Sequence, residues 1–279
     1  MSGIGDNDLP SARPASGAGY TFGDSDLAAR RLALVAAAFA KTTRQFLLTR
    51  ARPAPAFAVD LGCGPGFTTE LIRATVGPAR ILGVDVSPAF VAAAAKRLAD
   101  DRTRLLCADV LDLPLEVTDA DLIFARMLLT HLRDPLAAID IWRGRLSERG
   151  VLLLEEVDSI ATDEPTLAGY LDLQREMLAA NGNTLDVGPQ LDAGLREHPA
   201  LRSNALAEFS PPAAVAARMF VMNLETWRDR PEVTAAHEPE ELNALAAALE
   251  RIAVGTDEAQ PITWRLRQLV LTRGESHDG

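Results

Sequence analysis

AVDLGCGPGFTTEL, residues 58–71, decides the reading of this chain. It begins as a short apolar run, reaches an acid at Asp60, and places glycines at 62, 64 and 66 ahead of helical text. A buried strand that hands over to a helix through glycines leaves the main chain open to unusual angles and to close approach by a ligand. In doubly wound folds that handover lies at the carboxyl edge of the sheet, where ligands bind. Alone, the loop is a weak signal, and a tight strand-to-helix turn is its alternative. A dinucleotide site would want G-x-G-x-x-G, but Phe67 stands where the third glycine should be. A carboxylate at Asp60 suits a ligand with a positive group, such as an amino acid ammonium.

The surrounding text alternates. Residues 1–25 are rich in Gly, Ser, Ala, Pro and Asp and read as a flexible tail. A helix is expected from Asp26 to Thr49, stopped by the prolines of ARPAPA at 51–56. Downstream, RILGVDV, RTRLLCADV, ADLIFARM and GVLLLEEV read as buried strands. Ser87-Pro88 and Asp134-Pro135 offer caps with proline at the first helical position. Continuous apolar strands alternating with helices imply a parallel sheet covered on both faces. After Asp158 helices dominate, over about 164–180, 190–197 and 211–255, with Gly255 placed to end the last. NALAEF and TWRLRQLVLT read as further strands.

Two more acids stand at strand ends. Asp85 closes GVDVS, where a carboxylate can accept hydrogen bonds from a ribose, and Asp109 closes LCADV. Each singly could be a helix cap or turn former. Three in sequence after three strands point to a ligand with an ammonium, a ribose and a hydrogen-bonding base.

VDLGCGPG, GVDVS, CADVLDLP, ADLIFARMLLTHLRDP and LSERGVLLLEE together resemble the successive motifs of class I S-adenosylmethionine-dependent methyltransferases, in their small-molecule branch. The resemblance covers residues 55–158, and TWRLRQLVLT resembles the last, antiparallel strand of that fold. It implies an α/β, doubly wound, seven-stranded, mostly parallel sheet (the Rossmann-like methyltransferase fold) with a helical lid. The implied plan is a tail at 1–25, an N-terminal lid helix at 26–50, a cofactor-binding core at 51–158, and lid inserts plus final antiparallel strands at 159–279. S-adenosyl-L-methionine is the implied cofactor. Its implied contacts are Tyr20, Asp60, Gly62, Cys63, Gly64, Gly66, Asp85, Val86, Asp109, Val110 and Arg126. In this reading Asp85 meets the ribose, Asp109 the adenine amino group and Val110 the neighbouring ring edge. Tyr20 and Arg31 would approach the methionine end, with a structural salt bridge or plain exposure as the alternative for Arg31.

The implied activity is methyl transfer to an oxygen or nitrogen of a small molecule, in secondary metabolism. A hydroxyl acceptor would use a general base, and His131, after the fourth strand, is the candidate. A loop-bracing role is its alternative. Glu156 and Asp158 are weaker candidates, read instead as loop caps or exposed residues. Met177, Met219, Phe220, Met222 and Trp227 supply apolar surface, most of it core. No His/Cys grouping has zinc spacing, and no metal is expected. The net charge of −11 and the absence of a dense basic run argue against a nucleic-acid partner. No run reaches the ~20 apolar residues of a membrane span. Two cysteines and no secretion-like leader suit a cytoplasmic protein, and a homodimer stays open. The rival readings are cofactor-assisted cyclisation or decarboxylation without methyl transfer, and a non-catalytic partner subunit.

Overall fold

The computed structural model describes residues 26–98, 100–115 and 117–274; the expected tail, with Tyr20, lies outside them. Helix α1 (Asp26–Arg50) leads into β1 (Phe57–Leu61), α2 (Phe67–Val76), β2 (Arg80–Asp85), α3 (Pro88–Arg97) and β3 (Thr103–Cys107). Next come β4 (Ala120–Arg126), a single 3-10 turn (Leu129–His131), α4 (Pro135–Arg143) and β5 (Leu146–Thr162). The remainder is α5 (Pro165–Ala180), α6 (Gly188–Leu195), β6 (Leu201–Phe209), α7 (Ala213–Trp227), α8 (Pro231–Thr234), α9 (Pro239–Val254) and β7 (Ile262–Thr272).

Local chemistry sets the boundaries. The Ser87 hydroxyl accepts from Phe90 N at 3.2 Å and Asp134 Oδ1 from Ala137 N at 3.0 Å, each with proline at the next position. Gly255 ends α9 in the left-handed conformation expected of it.

The seven strands form one sheet in the order β3-β2-β1-β4-β5-β7-β6. β1 to β5 run parallel, while β7 is antiparallel to both β5 and β6. This is the expected doubly wound, mostly parallel sheet. Every residue of β1 is buried, as a central parallel strand with both faces covered requires. Phe46 and Leu47 of α1 and Ile72 and Val76 of α2 cover one face. Trp142 and Ile139 of α4 and Leu191 and Leu195 of α6 cover the other. The chain reverses its direction of winding between β1 and β4, so the crevice at their carboxyl ends is the topological switch point.

Three details depart from the sequence reading. β5 extends to Thr162, five residues past the expected end at Val157, because β7 pairs with it over its whole second half. β6 starts at Leu201 rather than Asn204 for the same reason, its partner β7 being long enough to recruit three more residues. Cys107 is exposed rather than buried, since it ends an edge strand.

The pairing of β5 with β7 carries a bulge between Val157 and Ser159. Three residues separate Val157 from Ile160, which would put them on opposite faces of a regular strand. The extra residue, Asp158, restores them to one face, and both enter a third cluster with Phe39, Tyr170, Phe220, Leu224, Leu249 and Trp264. That cluster joins α1, α5, α7 and α9 into a helical layer beyond the carboxyl edge of the sheet. Among the described residues no helix is long and apolar enough to cross a membrane.

Candidate active site

A cavity of about 980 Å³ opens between the switch point and the helical layer. Its floor is the glycine loop after β1. Gly62, Gly64 and Gly66 have φ of 66°, 53° and 85°, a region that side chains resist. Only two of the three border the cavity. A Cβ on Gly62 would lie 2.9 Å from Leu128 Cδ1, so the glycine lets the loop after β4 pack against the loop after β1. A Cβ on Gly66 would meet Leu98 at 2.8 Å and Ala94 at 3.0 Å. Gly66 therefore serves the packing of α2 on α3 and does not border the cavity. A Cβ on Gly64 would make ordinary contact with Leu32 Cδ1 at 3.6 Å, and the buried glycine borders the cavity.

Asp85 ties the loop to the edge of the sheet. Its Oδ2 accepts from Gly64 N at 2.8 Å and its Oδ1 from Ser87 N at 2.9 Å. Asp109 Oδ1 accepts from Leu111 N at 2.9 Å, which turns the chain after β3. Both acids line the cavity, with Cys63, Val86, Phe90, Val110, Leu111 and Ile141 around them. Val86 and Leu111 are 46% and 41% exposed, large apolar side chains held open at the mouth. Acceptor carboxylates beside an apolar cleft and a bordering glycine loop fit an adenosine-type cofactor with an amino acid end.

Asp60 is placed differently from the expectation. It is 1% exposed, beneath the loop and outside the cavity lining, where Thr69 Oγ1 donates to it at 2.6 Å. Burial pushes its carboxyl up to about 7, against the opposing pull of Thr69 and of the Arg126 charge. Cys63 lines the cavity with its thiol driven upward by burial and by the charges of Asp60 and Asp85, so it stays protonated and inert.

Arg126, at the end of β4, also lines the cavity. Its guanidinium donates to Thr43 Oγ1 of α1 at 3.0 Å and to Thr68 Oγ1 of α2 at 3.2 Å. Thr43 donates in turn to Glu155, which also accepts from Gln268 Nε2 at 2.7 Å. Desolvation lowers the arginine and raises Glu155, and their opposite charges counter both effects. This buried network joins α1, α2, β4, β5 and β7, and sequence reasoning found only Arg126 in it. Thr43 and Glu155 carry no local signal, because their partners lie over a hundred residues apart in the chain.

The loop after β4 brings His131 to the cavity. Met127 adopts φ 52°, and Glu156 Oε1 accepts from Leu128 N at 2.9 Å and Leu129 N at 3.0 Å. Glu156 is thus the loop cap that the sequence reading favoured. Its burial raises its carboxyl to about 7 despite those amides. Asp158, the other weak candidate, is paired with Arg267 at 2.6 Å. Burial and the charge of Arg31 push the His131 imidazole down to about 4, so it is neutral at pH 7. Arg31 itself is 7% exposed and lines the cavity.

The helical layer supplies the far wall. Met219, Phe220, Gln174, Asn223, Arg230 and Trp264 face the cavity with Val157 and Ile160 of β5. Met177 and Trp227 are core instead, and Met222 is not part of the lining. The Asn223 amide donates to the Tyr170 hydroxyl, whose ring stacks on Phe220 at 4.1 Å. Nothing local in the sequence marks Gln174, Asn223 or Arg230, since only the tertiary fold turns them inward. No group of His, Cys, Asp and Glu that could hold a metal occurs among the described residues.

Residues 59–154 match the family described as Methyltransferase domain. The chain is 39% identical over 113 residues to the trans-aconitate 2-methyltransferase of Methylobacterium radiotolerans, a match covering 40% of this chain and 42% of that protein. Half or less of each such curated relative is spanned by the match. Among solved structures, a phosphoethanolamine N-methyltransferase of Haemonchus contortus superimposes with TM-score 0.54 at 14% identity, covering 88% of this chain and 59% of that one. A cyclase, SpnF, does so with TM-score 0.51 at 19% identity, covering 81% and 80%. These likenesses establish the fold.

Proposed function

We propose that this chain, whose residues 59–154 carry a methyltransferase domain, moves a methyl group from S-adenosyl-L-methionine to an oxygen or nitrogen of a small molecule. The observation that carries the proposal is the pair of strand-end carboxylates, Asp85 and Asp109, bordering one cavity with the glycine loop at Gly62 and Gly64. When bound, the cofactor supplies an electrophilic methyl on a sulfonium sulfur.

The chain's own residues have four tasks. Asp85, which also fixes the loop through Gly64 N and Ser87 N, accepts from the ribose hydroxyls. Asp109, Val86, Val110 and Leu111 hold the base by one polar and several apolar contacts. Gly62, Cys63 and Gly64 receive the amino acid end, with Asp60 and Thr69 bracing the loop from below. α1 and α7 act as a lid that excludes water and aligns the acceptor, which is most of what transfer from so reactive a donor requires.

The test is calorimetric titration of the full chain with S-adenosylhomocysteine, followed by mass spectrometry of candidate acceptors with labelled cofactor. Binding and a labelled product are expected. No binding at micromolar protein would sink the cofactor assignment, and binding with turnover but no transferred label would favour cyclisation or decarboxylation.

A further inference from the structure

Helices α5 and α7 meet the cavity with four residues, Gln174 of α5 and Met219, Phe220 and Asn223 of α7. Two of the four are carboxamides, and both are buried, Gln174 at 7% exposure and Asn223 at 4%. Buried polar side chains normally have hydrogen-bond partners inside the chain. The other buried polar side chains of the lining do. Thr68 accepts from Arg126, Thr130 donates to the Thr184 carbonyl, and Arg31 is likewise engaged. Gln174 forms no hydrogen bond among the described residues. Asn223 commits its Nδ2 to the Tyr170 hydroxyl at 2.5 Å, and its Oδ1 has no partner among the described residues. Tyr170 is fully buried and stacked on Phe220, so the Asn223 amide is held in that orientation. Gln174 follows Tyr170 by four residues on the same face of α5, which brings the two carboxamides to one stretch of the wall.

We propose that Gln174 and Asn223 determine specificity for the methyl acceptor, by hydrogen-bonding one uncharged group on it that carries an O–H or N–H, a hydroxyl or an amide. This rests on the methyl-transfer reading above, which gives the side of Asp85 and Asp109 to the cofactor and the helical layer to the acceptor. A carbonyl oxygen held in place accepts and cannot donate, so the group that meets Asn223 Oδ1 must bring a hydrogen. The uncommitted amide of Gln174 both donates and accepts, and so serves the remaining lone pair or hydrogen of the same group. Met219, Phe220 and Trp264 beside them supply apolar surface for the carbon frame that carries it.

The arrangement favours recognition over bracing. An amide kept for stability would be bonded within the chain, whereas one left without a partner in an apolar wall destabilises the ligand-free fold. Such a cost is typical of a group retained for function. It also sharpens selection. A molecule that fills the cavity without the matching hydrogen buries the carbonyl and leaves it unpaired, so a site built in this way rejects the analogue more strongly than an apolar pocket rejects an extra methyl group.

The experiment titrates the full chain, saturated with S-adenosylhomocysteine, by ligand-observed NMR. The probes are benzyl alcohol and benzamide, each against its form without the hydrogen, benzyl methyl ether and N,N-dimethylbenzamide. The alcohol and the primary amide should bind at least about fivefold more tightly than their methylated forms. Gln174→Leu should bring that preference below about twofold and keep S-adenosylhomocysteine affinity within about twofold. It should also melt no lower than the parent, which an amide that braced the chain would not allow. Should this variant fail to fold by circular dichroism, the paired change Tyr170→Phe with Asn223→Leu, which removes both ends of one hydrogen bond, is read in its place with the same expectation on preference. Equal binding within each pair of probes, a preference that survives in the variants, or no binding of any probe would each overturn the inference. If S-adenosylhomocysteine itself does not bind, the methyl-transfer reading falls, while the same titrations of the unliganded chain still decide whether the two amides select for a donor.

Discussion

Asp85 carries two loads at once. It holds the glycine loop through Gly64 N and, on the proposed reading, the ribose through its outward lone pairs. Asp85→Ala should weaken S-adenosylhomocysteine binding by about 1.5–3 kcal/mol per charged hydrogen bond lost. Asp85→Asn keeps one oxygen acceptor and should lose less. Equal, small losses for both variants in calorimetry would leave Asp85 a turn residue. His131 makes the second residue-level test. A base with pKa about 4 would put the acidic limb of the rate profile near pH 4 rather than near 6.5. If His131 only neighbours the acceptor, His131→Ala should cost under about tenfold in kcat and act mainly on KM, whereas a true general base is typically worth 10²–10⁴-fold. Asp85, Asp109 and Gly64 were legible in the sequence because each sits at or just past a strand end, where local spacing carries the signal. Asp60 and Gly66 were legible as special but not as buried. Their partners, Thr69 below the loop and Leu98 on α3, emerge only when helices pack.

Among elements, the loop after β4 depends most on a single side chain. Glu156 takes two of its amides and is fully buried. Its carboxyl stands at about 7 in the folded chain against 4.5 in the reference state, so the folded chain binds the extra proton between those values. The stability this contributes is complete below about pH 4.5 and is lost as pH rises through 7, by an amount on the order of 3 kcal/mol. Glu156→Gln keeps an acceptor oxygen without the charge. In denaturant titrations it should be at least as stable as the parent at pH 8, and the difference should vanish near pH 4. A variant that is markedly weaker at pH 8 would mean the ionised carboxylate is what holds the loop. Helix ends were the most legible elements, since Ser87, Asp134 and Gly255 announce their caps in neighbouring residues. The length of β5 was not, because its second half is fixed by pairing with β7, about a hundred residues later.

For the molecule as a whole, the sheet and the helical layer have different jobs, and α1 belongs to both. Phe46 and Leu47 pack on the sheet while Phe39 enters the layer, and Arg31 and Leu32 reach the cavity between them. Thr43 fastens the helix midway, through Arg126 and Glu155. Ligand binding in the cavity should therefore damp local opening of α1 and α7 more than of the central strands, which already open only with global unfolding. In hydrogen exchange, S-adenosylhomocysteine should slow amides of residues 26–40 and 213–224 and leave 57–61 unchanged. Uniform protection, or none in α1, would detach the helical layer from the site. The alternating core was readable from apolar runs of 5 to 7 residues. The layer was readable only as helices, because a stripe of leucines does not say which surface it will meet.

The extra residue in β5 has a consequence for how such a chamber diversifies. Val157 and Ile160 share the wall only because Asp158 interrupts the alternation. Without it, the strand beyond that point changes parity. The wall would be written by what is now the opposite set of side chains, and Arg267 would lose one of its partners, keeping Asp192 and Asn204. A one-codon deletion would thus rewrite several contacts in a single evolutionary step, with the sheet below it untouched. Lineages that share this core can differ in what they accept through reading frame along one strand, without any change to the residues that hold the cofactor.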